Sequence, residues 1–252
     1  MDVYLTPIGG AVTTVNSFNS RLEIIGGTGS GQIDAMNVRS AFPFEDEARL
    51  TQDRLTGFAM AVDFAYSELE MVGIELGEGA NLFTIESTHA GRTTLHTGSG
   101  DDSVEVVATG GVVNLQTADG KDMVRIGAIG AEMSLNTGEG DDRIHVGSRA
   151  LASNVSLDGI SSQLSVVGGA GSDTLKADDS GDATANIGSL NATTLQGLGM
   201  AGSIAYGLVE TLHIALGSGD DQFAISTTHT GSTQLSTGSG SDTVRIQAVS
   251  GP

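Results

Sequence analysis

Three segments decide the reading: Thr97-Gly-Ser-Gly-Asp-Asp102, Thr117-Ala-Asp-Gly-Lys-Asp122 and Thr137-Gly-Glu-Gly-Asp-Asp142, which begin 20 residues apart. Each is followed by a short alternating stretch, Val104-Glu-Val106, Val124-Arg-Ile126 or Ile144-His-Val146. Each is also preceded by one, Thr93-Thr-Leu95, Val113-Asn-Leu115 or Met133-Ser-Leu135. Alternation at period 2 predicts strands with their branched residues pointing inward. The same grammar returns at Leu216-Gly-Ser-Gly-Asp-Asp221 and Thr237-Gly-Ser-Gly-Ser-Asp242, 21 residues apart, and Leu76-Gly-Glu-Gly79 precedes Thr97 by 21. Two strands and two turns in about 20 residues make one coil of a solenoid. A single coil buries little, whereas coils stacked at about 4.8 Å share a continuous core. The expected fold is therefore all-β, a parallel β-solenoid, with a β-sandwich as the alternative way to use many short strands.

A longer period lies over the short one. Leu55 to Val106 aligns without gaps with Leu195 to Ile246, and about 24 of the 52 positions match at an offset of 140. Gly57/Gly197, Tyr66/Tyr206, Glu70/Glu210, Phe83/Phe223 and His89/His229 are among the matches. The expected organisation is an N-terminal edge over residues 1–25, a first unit over 26–167 and a second over 168–252, read as one continuous solenoid cut from a longer array. Residues 36–54 and 178–194 break the rhythm and are expected to form an irregular loop or a wider coil. An offbeat coil is expected over 147–166, with Val155, Leu157, Ile160 and Leu164 inward.

The turns carry the chemistry. Gly168-Gly-Ala-Gly-Ser-Asp-Thr-Leu-Lys176 fits the nonapeptide Gly-Gly-x-Gly-x-Asp-x-(large apolar)-x. This resembles the repeats-in-toxin, or haemolysin-type, calcium-binding repeats. Seven further segments are variants. Their sixth position, counted with this one, is Asp102, Asp122, Asp142, Asp173, Asp221 or Asp242, with Asn81 and Gly31 as exceptions. Their eighth position is apolar throughout, from Ile33 and Phe83 to Val244, and is expected to anchor the turn in the core. Glycines allow backbone angles that turn carbonyl oxygens toward one point, and the sixth-position carboxylate completes an oxygen cage. Calcium accepts six to eight oxygen ligands in flexible geometry. The resemblance implies calcium ions between successive turns. The candidate ligand positions are Gly98, Gly100, Asp101, Asp102, Asp119, Gly120, Asp122, Gly138, Gly140, Asp141, Asp142, Gly169, Gly171, Asp173, Gly217, Gly219, Asp220, Asp221, Gly238, Gly240 and Asp242. The nonapeptide comes once per 20–21 residues rather than every nine, so a single metal-binding edge is expected, with Asn81 and Gly31 marking weak or empty sites.

Electrostatics points the same way. Stacked Asp102, Asp122 and Asp142 would stand about 5 Å apart and repel by roughly 3 kcal/mol per pair at an effective dielectric near 20. Either cations fill the ladder or the side chains splay into water. The metal-free reading is a tight turn in which Asp caps the backbone.

Composition bounds the function. A net charge of −20, from 31 acidic and 11 basic residues, excludes nucleic acid as a natural partner. The chain has no cysteine, hence no disulfide framework. No run of about 18 apolar residues spans a membrane. Met1-Asp-Val-Tyr4 carries no signal peptide, so an export signal is expected outside the sequence or not at all. The leading expectation is a calcium-binding structural or adhesive module of a large extracellular or cell-surface protein, not an enzyme. Its partners are calcium, neighbouring repeat modules and a polysaccharide. A calcium-dependent polysaccharide-binding solenoid or a polysaccharide lyase or epimerase is the alternative, the enzyme disfavoured because the chain has only Lys121 and Lys176 as lysines and its arginines look dispersed. His89, His229 and the threonines Thr93, Thr94 and Thr233 are read as ordinary loop and strand residues. Tyr66 and Tyr206 are read as packed, Glu70 and Glu210 as solvated.

Overall fold

The computed structural model describes residues 22–26, 33–40, 47–58, 63–148 and 154–251. The first half contains β1 (Leu22–Ile25), β2 (Ala35–Arg39), β3 (Glu47–Leu50), β4 (Arg54–Gly57), β5 (Phe64–Ser67), β6 (Met71–Glu75), β7 (Leu82–Ile85), β8 (Arg92–His96), β9 (Ser103–Val106), β10 (Val112–Gln116) and β11 (Met123–Ile126). The second contains β12 (Met133–Glu139), β13 (Arg143–Val146), β14 (Gln163–Ala170), β15 (Thr174–Asp178), β16 (Ile187–Leu190), β17 (Thr194–Gly197), β18 (Ser203–Gly207), β19 (Thr211–Ala215), β20 (Gln222–Ile225), β21 (Ser232–Ser236) and β22 (Thr243–Ile246). There is no helix among the described residues, and none long and apolar enough to cross a membrane.

The strands form two sheets of 11 strands each. The first runs β1-β5-β4-β3-β7-β9-β11-β13-β15-β19-β21, the second β2-β6-β8-β10-β12-β14-β18-β17-β16-β20-β22. Neighbours pair in parallel at coil register, as Leu95 with Leu115 and Val104 with Val124. Antiparallel Greek keys, which a sandwich needs, are absent among the described residues, and the architecture is a parallel β-solenoid. Its core is a pair of facing rows. Leu95, Leu115, Leu135 and Val166 line the second sheet, and Val104, Val124, Ile144 and Leu175 line the first, all at most 1% exposed. Period-2 alternation produces this directly, because each strand offers every other side chain to the interior.

Among their described residues the offbeat stretches contain short strands, beside an irregular turn over 179–186. β3 and β4 form an antiparallel hairpin (Leu50 opposite Leu55), and so do β16 and β17 (Leu190 opposite Leu195). In each hairpin these leucines are buried, so inward patterning holds even where strand direction reverses. In the coil over 154–166, Leu157, Ile160 and Leu164 are buried as expected, while Val155 is only half-buried. Two anchors also differ from expectation. Ile33 is 70% exposed and Val244 37% exposed, because neither has a coil packed on both sides among the described residues.

The units exchange sheets. β3–β5 belong to the first sheet, whereas their counterparts β16–β18, 140 residues on, belong to the second. The hairpin of one unit adds two strands to one sheet and the hairpin of the other adds two to the opposite sheet, so the totals stay equal. Consequently the turns 97–102, 117–122, 137–142 and 168–173 cross from the second sheet to the first, on one edge of the solenoid. Turns 216–221 and 237–242 cross from the first to the second, on the other edge.

Candidate cation-binding turns

Within each turn the backbone is shaped by glycine. Gly98, Gly138 and Gly169 adopt φ of 88°, 98° and 120°, and Gly140 lies so close to the coil below that an added Cβ would stand 1.6 Å from the Gly120 carbonyl oxygen. Ala118 takes the same left-handed region, φ 69°, where its neighbours have glycine. Gly217 and Gly219 do not adopt positive φ, so the turn at 216–221 departs from the nonapeptide geometry.

This backbone turns the first and sixth residues inward. Thr97, Thr117 and Thr137 are fully buried, and each hydroxyl donates to a carbonyl one coil on: Thr117 at 3.4 Å, Thr137 at 3.1 Å and Gly168 at 2.8 Å. Asp102, Asp122, Asp142, Asp173 and Asp221 are at most 2% exposed. Each carboxylate reaches back one coil. Asp102 Oδ1 accepts the Asn81 amide at 2.8 Å, Asp122 that of Asp102 at 2.9 Å, Asp142 that of Asp122 at 2.8 Å, and Asp173 that of Asp142 at 2.9 Å. Glu210 ends this edge by accepting the Asp173 amide at 2.8 Å. The carboxylates do not splay into water: they turn into the core edge and cap the stacked backbone, as the metal-free reading of these turns expects. The other edge has its own ladder, in which Asp221 accepts from Asn186 at 2.8 Å and Asp242 from Asp221 at 3.0 Å. The expected single edge is thus two edges.

One oxygen per carboxylate is left over. Oδ2 of Asp102, Asp122, Asp142, Asp173 and Asp221 is buried with no hydrogen-bond partner. Asn81 shows what that position requires. Its amide nitrogen donates to the carbonyls of Thr97 at 2.8 Å, Gly79 at 2.9 Å and Gly77 at 3.3 Å, so three oxygens converge where Asn supplies a donor. An aspartate at the same repeat position supplies an acceptor instead. Burial pushes Asp102 up to about 6 and Asp122 up to about 7, in the latter case with the Asp102 and Asp142 charges adding to it, while the nearby Thr97 and Thr117 hydroxyls draw each carboxyl part of the way back down. Burial raises Asp173 as well.

The donor set suits a hard, oxygen-seeking cation. No three acidic or histidine side chains among the described residues converge closely enough to hold a metal alone, so an ion in these turns draws on backbone carbonyls too. The fifth-position residues lie outside the ladder. Asp101 and Asp141 are exposed and accept the amides of Lys121 at 2.8 Å and Ser172 at 3.2 Å, and Asp220 accepts that of Ser241 at 2.7 Å. Asp119 is exposed and is linked to Glu139 only through a backbone bridge.

Several residues take roles the sequence did not assign. Glu70 and Glu210 are ladder members, since Glu70 Oε2 accepts the Asp34 amide at 2.7 Å just as Glu210 caps Asp173. Their recurrence at offset 140 was the available signal. Thr93 points inward and is fully buried, whereas Thr94 lies on the outer face. One of the dispersed arginines joins a basic row: register places Arg125, His145, Lys176 and His213 on neighbouring strands of the first sheet's outer face. Arg125 Nη1 lies 3.3 Å from His145 Nδ1, and Asp178 receives His145 at 3.1 Å and Lys176 at 2.5 Å. Burial works upward on Asp178, but the bonds from Lys176, Ser180 and His145 outweigh it and hold the carboxyl down to about 2.

No protein-family model, curated protein or solved structure matches the chain.

Proposed function

We propose that this chain is a calcium-stabilised structural or adhesive module of a large extracellular or cell-surface protein. The observation that carries the reading is the row of buried, partnerless Oδ2 atoms, beside a coil where Asn81 fills the same place with an amide donor. A buried carboxylate oxygen without a donor is costly, and a shared divalent ion would remove that cost while locking two coils together. Ion binding then adds to folding stability by mass action. The module would fold where calcium is plentiful and loosen where it is scarce. Thermal unfolding of chelator-stripped protein, repeated in millimolar calcium and in magnesium, tests this. A calcium-specific rise of more than about 10 °C supports the reading, and equal melting in all three overturns it.

A second reading has its own observation. The row Arg125, His145, Lys176 and His213 offers anionic polysaccharide two cations interleaved with two imidazoles on a strongly acidic chain. Retardation of the protein in gels containing alginate, lost on Arg125→Glu, is its test.

A further inference from the structure

On the outer face of the first sheet, β11, β13 and β15 bring one imidazole between a cation and an acid. His145 Nδ1 lies 3.3 Å from Arg125 Nη1, and His145 Nε2 lies 3.1 Å from Asp178 Oδ2. Asp178 is 4% exposed and also accepts from Lys176 Nζ and the Ser180 amide, so it is a fixed anchor for the ring. Arg125, by contrast, is exposed. The charged groups facing the imidazole are Arg125 on β11, Lys176 and Asp178 on β15 and, two residues back on its own strand, Arg143. Glu105 flanks Arg125 from β9.

These partners place the proton on the ring. A guanidinium can only donate, and an ionised carboxylate can only accept. Asp178 stays ionised in neutral and mildly acid solution, because its donors hold it down to about 2. Nε2 therefore carries the hydrogen, and Nδ1 offers its lone pair to Arg125, which makes this the neutral ring. A second proton would fall on Nδ1 and set donor against donor at 3.3 Å. The Asp178 contact survives that change and the Arg125 contact does not. Imidazole is the side chain suited to such a change between pH 5 and pH 8.

We infer that His145 is a proton-operated latch on Arg125, closed when the ring is neutral and open when it is charged, and that opening it hands the guanidinium to an anionic polysaccharide. The inference rests on the second reading above and supplies its regulation. With the latch closed, one edge of the guanidinium faces the ring. With it open, Arg125, the charged His145 and Lys176 stand on successive strands about 4.8 Å apart, and a polyanion competes with Glu105 for the freed group.

The probe is dextran sulfate, whose sulfate esters keep their charge from pH 5 to pH 8. Its affinity for the whole chain is measured at both pH values, in chelator and at one salt concentration. Glutamine keeps a donor for Asp178 and an acceptor for Arg125 at every pH, so His145→Gln fixes the latch closed. Parent and His145→Gln should bind alike at pH 8, and the parent about 5-fold more tightly at pH 5. His96→Gln, on the second sheet, controls for the general loss of negative charge on acidification and should behave as the parent does. Arg125→Gln separates release of the guanidinium from the charge of the ring itself. In that background His145→Gln should have less than about half its effect at pH 5, and an undiminished effect overturns the latch. A gain on acidification shared equally by parent and His145→Gln also overturns the latch and leaves the second reading standing. No binding at either pH overturns both. Ring nitrogen chemical shifts of His145 at pH 8 report the tautomer without any ligand: Nε2–H is expected, and Nδ1–H overturns the latch.

Discussion

Asp122 Oδ1 accepts the backbone N–H of Asp102 at 2.9 Å, so the side chain of one coil closes the backbone of the coil before it. The link replaces a strand hydrogen bond at the corner, where the chain leaves one sheet and has not yet joined the other. It also brings a charge into a place that is 2% exposed. Capping and charge therefore pull in opposite directions, and substitutions can separate them.

Asp122→Asn keeps an oxygen for the Asp102 amide and adds a donor for the leftover position, where the Asn81 side-chain nitrogen already donates in its own turn. In chelator at pH 7.5 the variant should be more stable than the parent by on the order of 2 kcal/mol. In calcium the order should reverse. Denaturant unfolding under both conditions is the measurement; a variant less stable than the parent in chelator would contradict the account of the ladder.

The same carboxylates set a pH dependence. Their folded values, about 6 for Asp102 and about 7 for Asp122, lie above the ordinary carboxylate value near 3.8. The protonated form is favoured by folding, so the stability they contribute is complete below about pH 4 and is lost as pH rises through 6 to 7. In chelator the melting temperature should fall between pH 5 and pH 8. Calcium, by taking the proton's place, should flatten that slope. An unchanged melting temperature across this range in chelator would show that the ladder is not titrating.

Ala118 sits at φ 69° where the neighbouring turns have glycine. A left-handed non-glycine residue costs roughly 1–2 kcal/mol, part of which glycine gives back as unfolded-chain entropy. Ala118→Gly should stabilise the protein by up to about 1 kcal/mol, readable as a small rise in the urea midpoint. A loss of stability would show that the methyl group contributes packing not evident from its exposure.

Tyr66 and Tyr206 make the same bond 15 residues back, to the Thr51 carbonyl at 2.5 Å and the Asn191 carbonyl at 2.7 Å. Each also meets a histidine edge-on, His89 at 6.0 Å and His229 at 5.8 Å between ring centres. Phenylalanine at either place should cost about 1 kcal/mol, and the two substitutions should match within a few tenths and add in the double variant. Strong non-additivity would mean that the two hairpins unfold as one element.

Much of this fold was legible because its signals are local and repeated. Strand alternation fixed which face of Leu95, Leu115 and Leu135 is buried, and the 20-residue spacing fixed parallel stacking. The hairpins were missed because strand reversal leaves no mark on alternation: Leu50 and Leu55 look alike whichever way the chain runs between them. The second ladder was missed for a topological reason. Moving from one edge to the other changes no residue in the turn, only how many crossings precede it. The sixth-position aspartates were found by pattern, but their inward aim and the part of Glu210 depend on register across 37 residues, which spacing alone does not supply.

The exchange of sheets between units has a mechanical side. If each unit hands most of its acidic turns to the opposite edge, a rod built from these units would carry the proposed ion-clamped corners on alternating flanks. Clamps along one flank only would shorten or stiffen that flank and bow the rod as calcium rose. With clamps on both, the strains oppose one another, and a rod with an even number of units stiffens while staying straight.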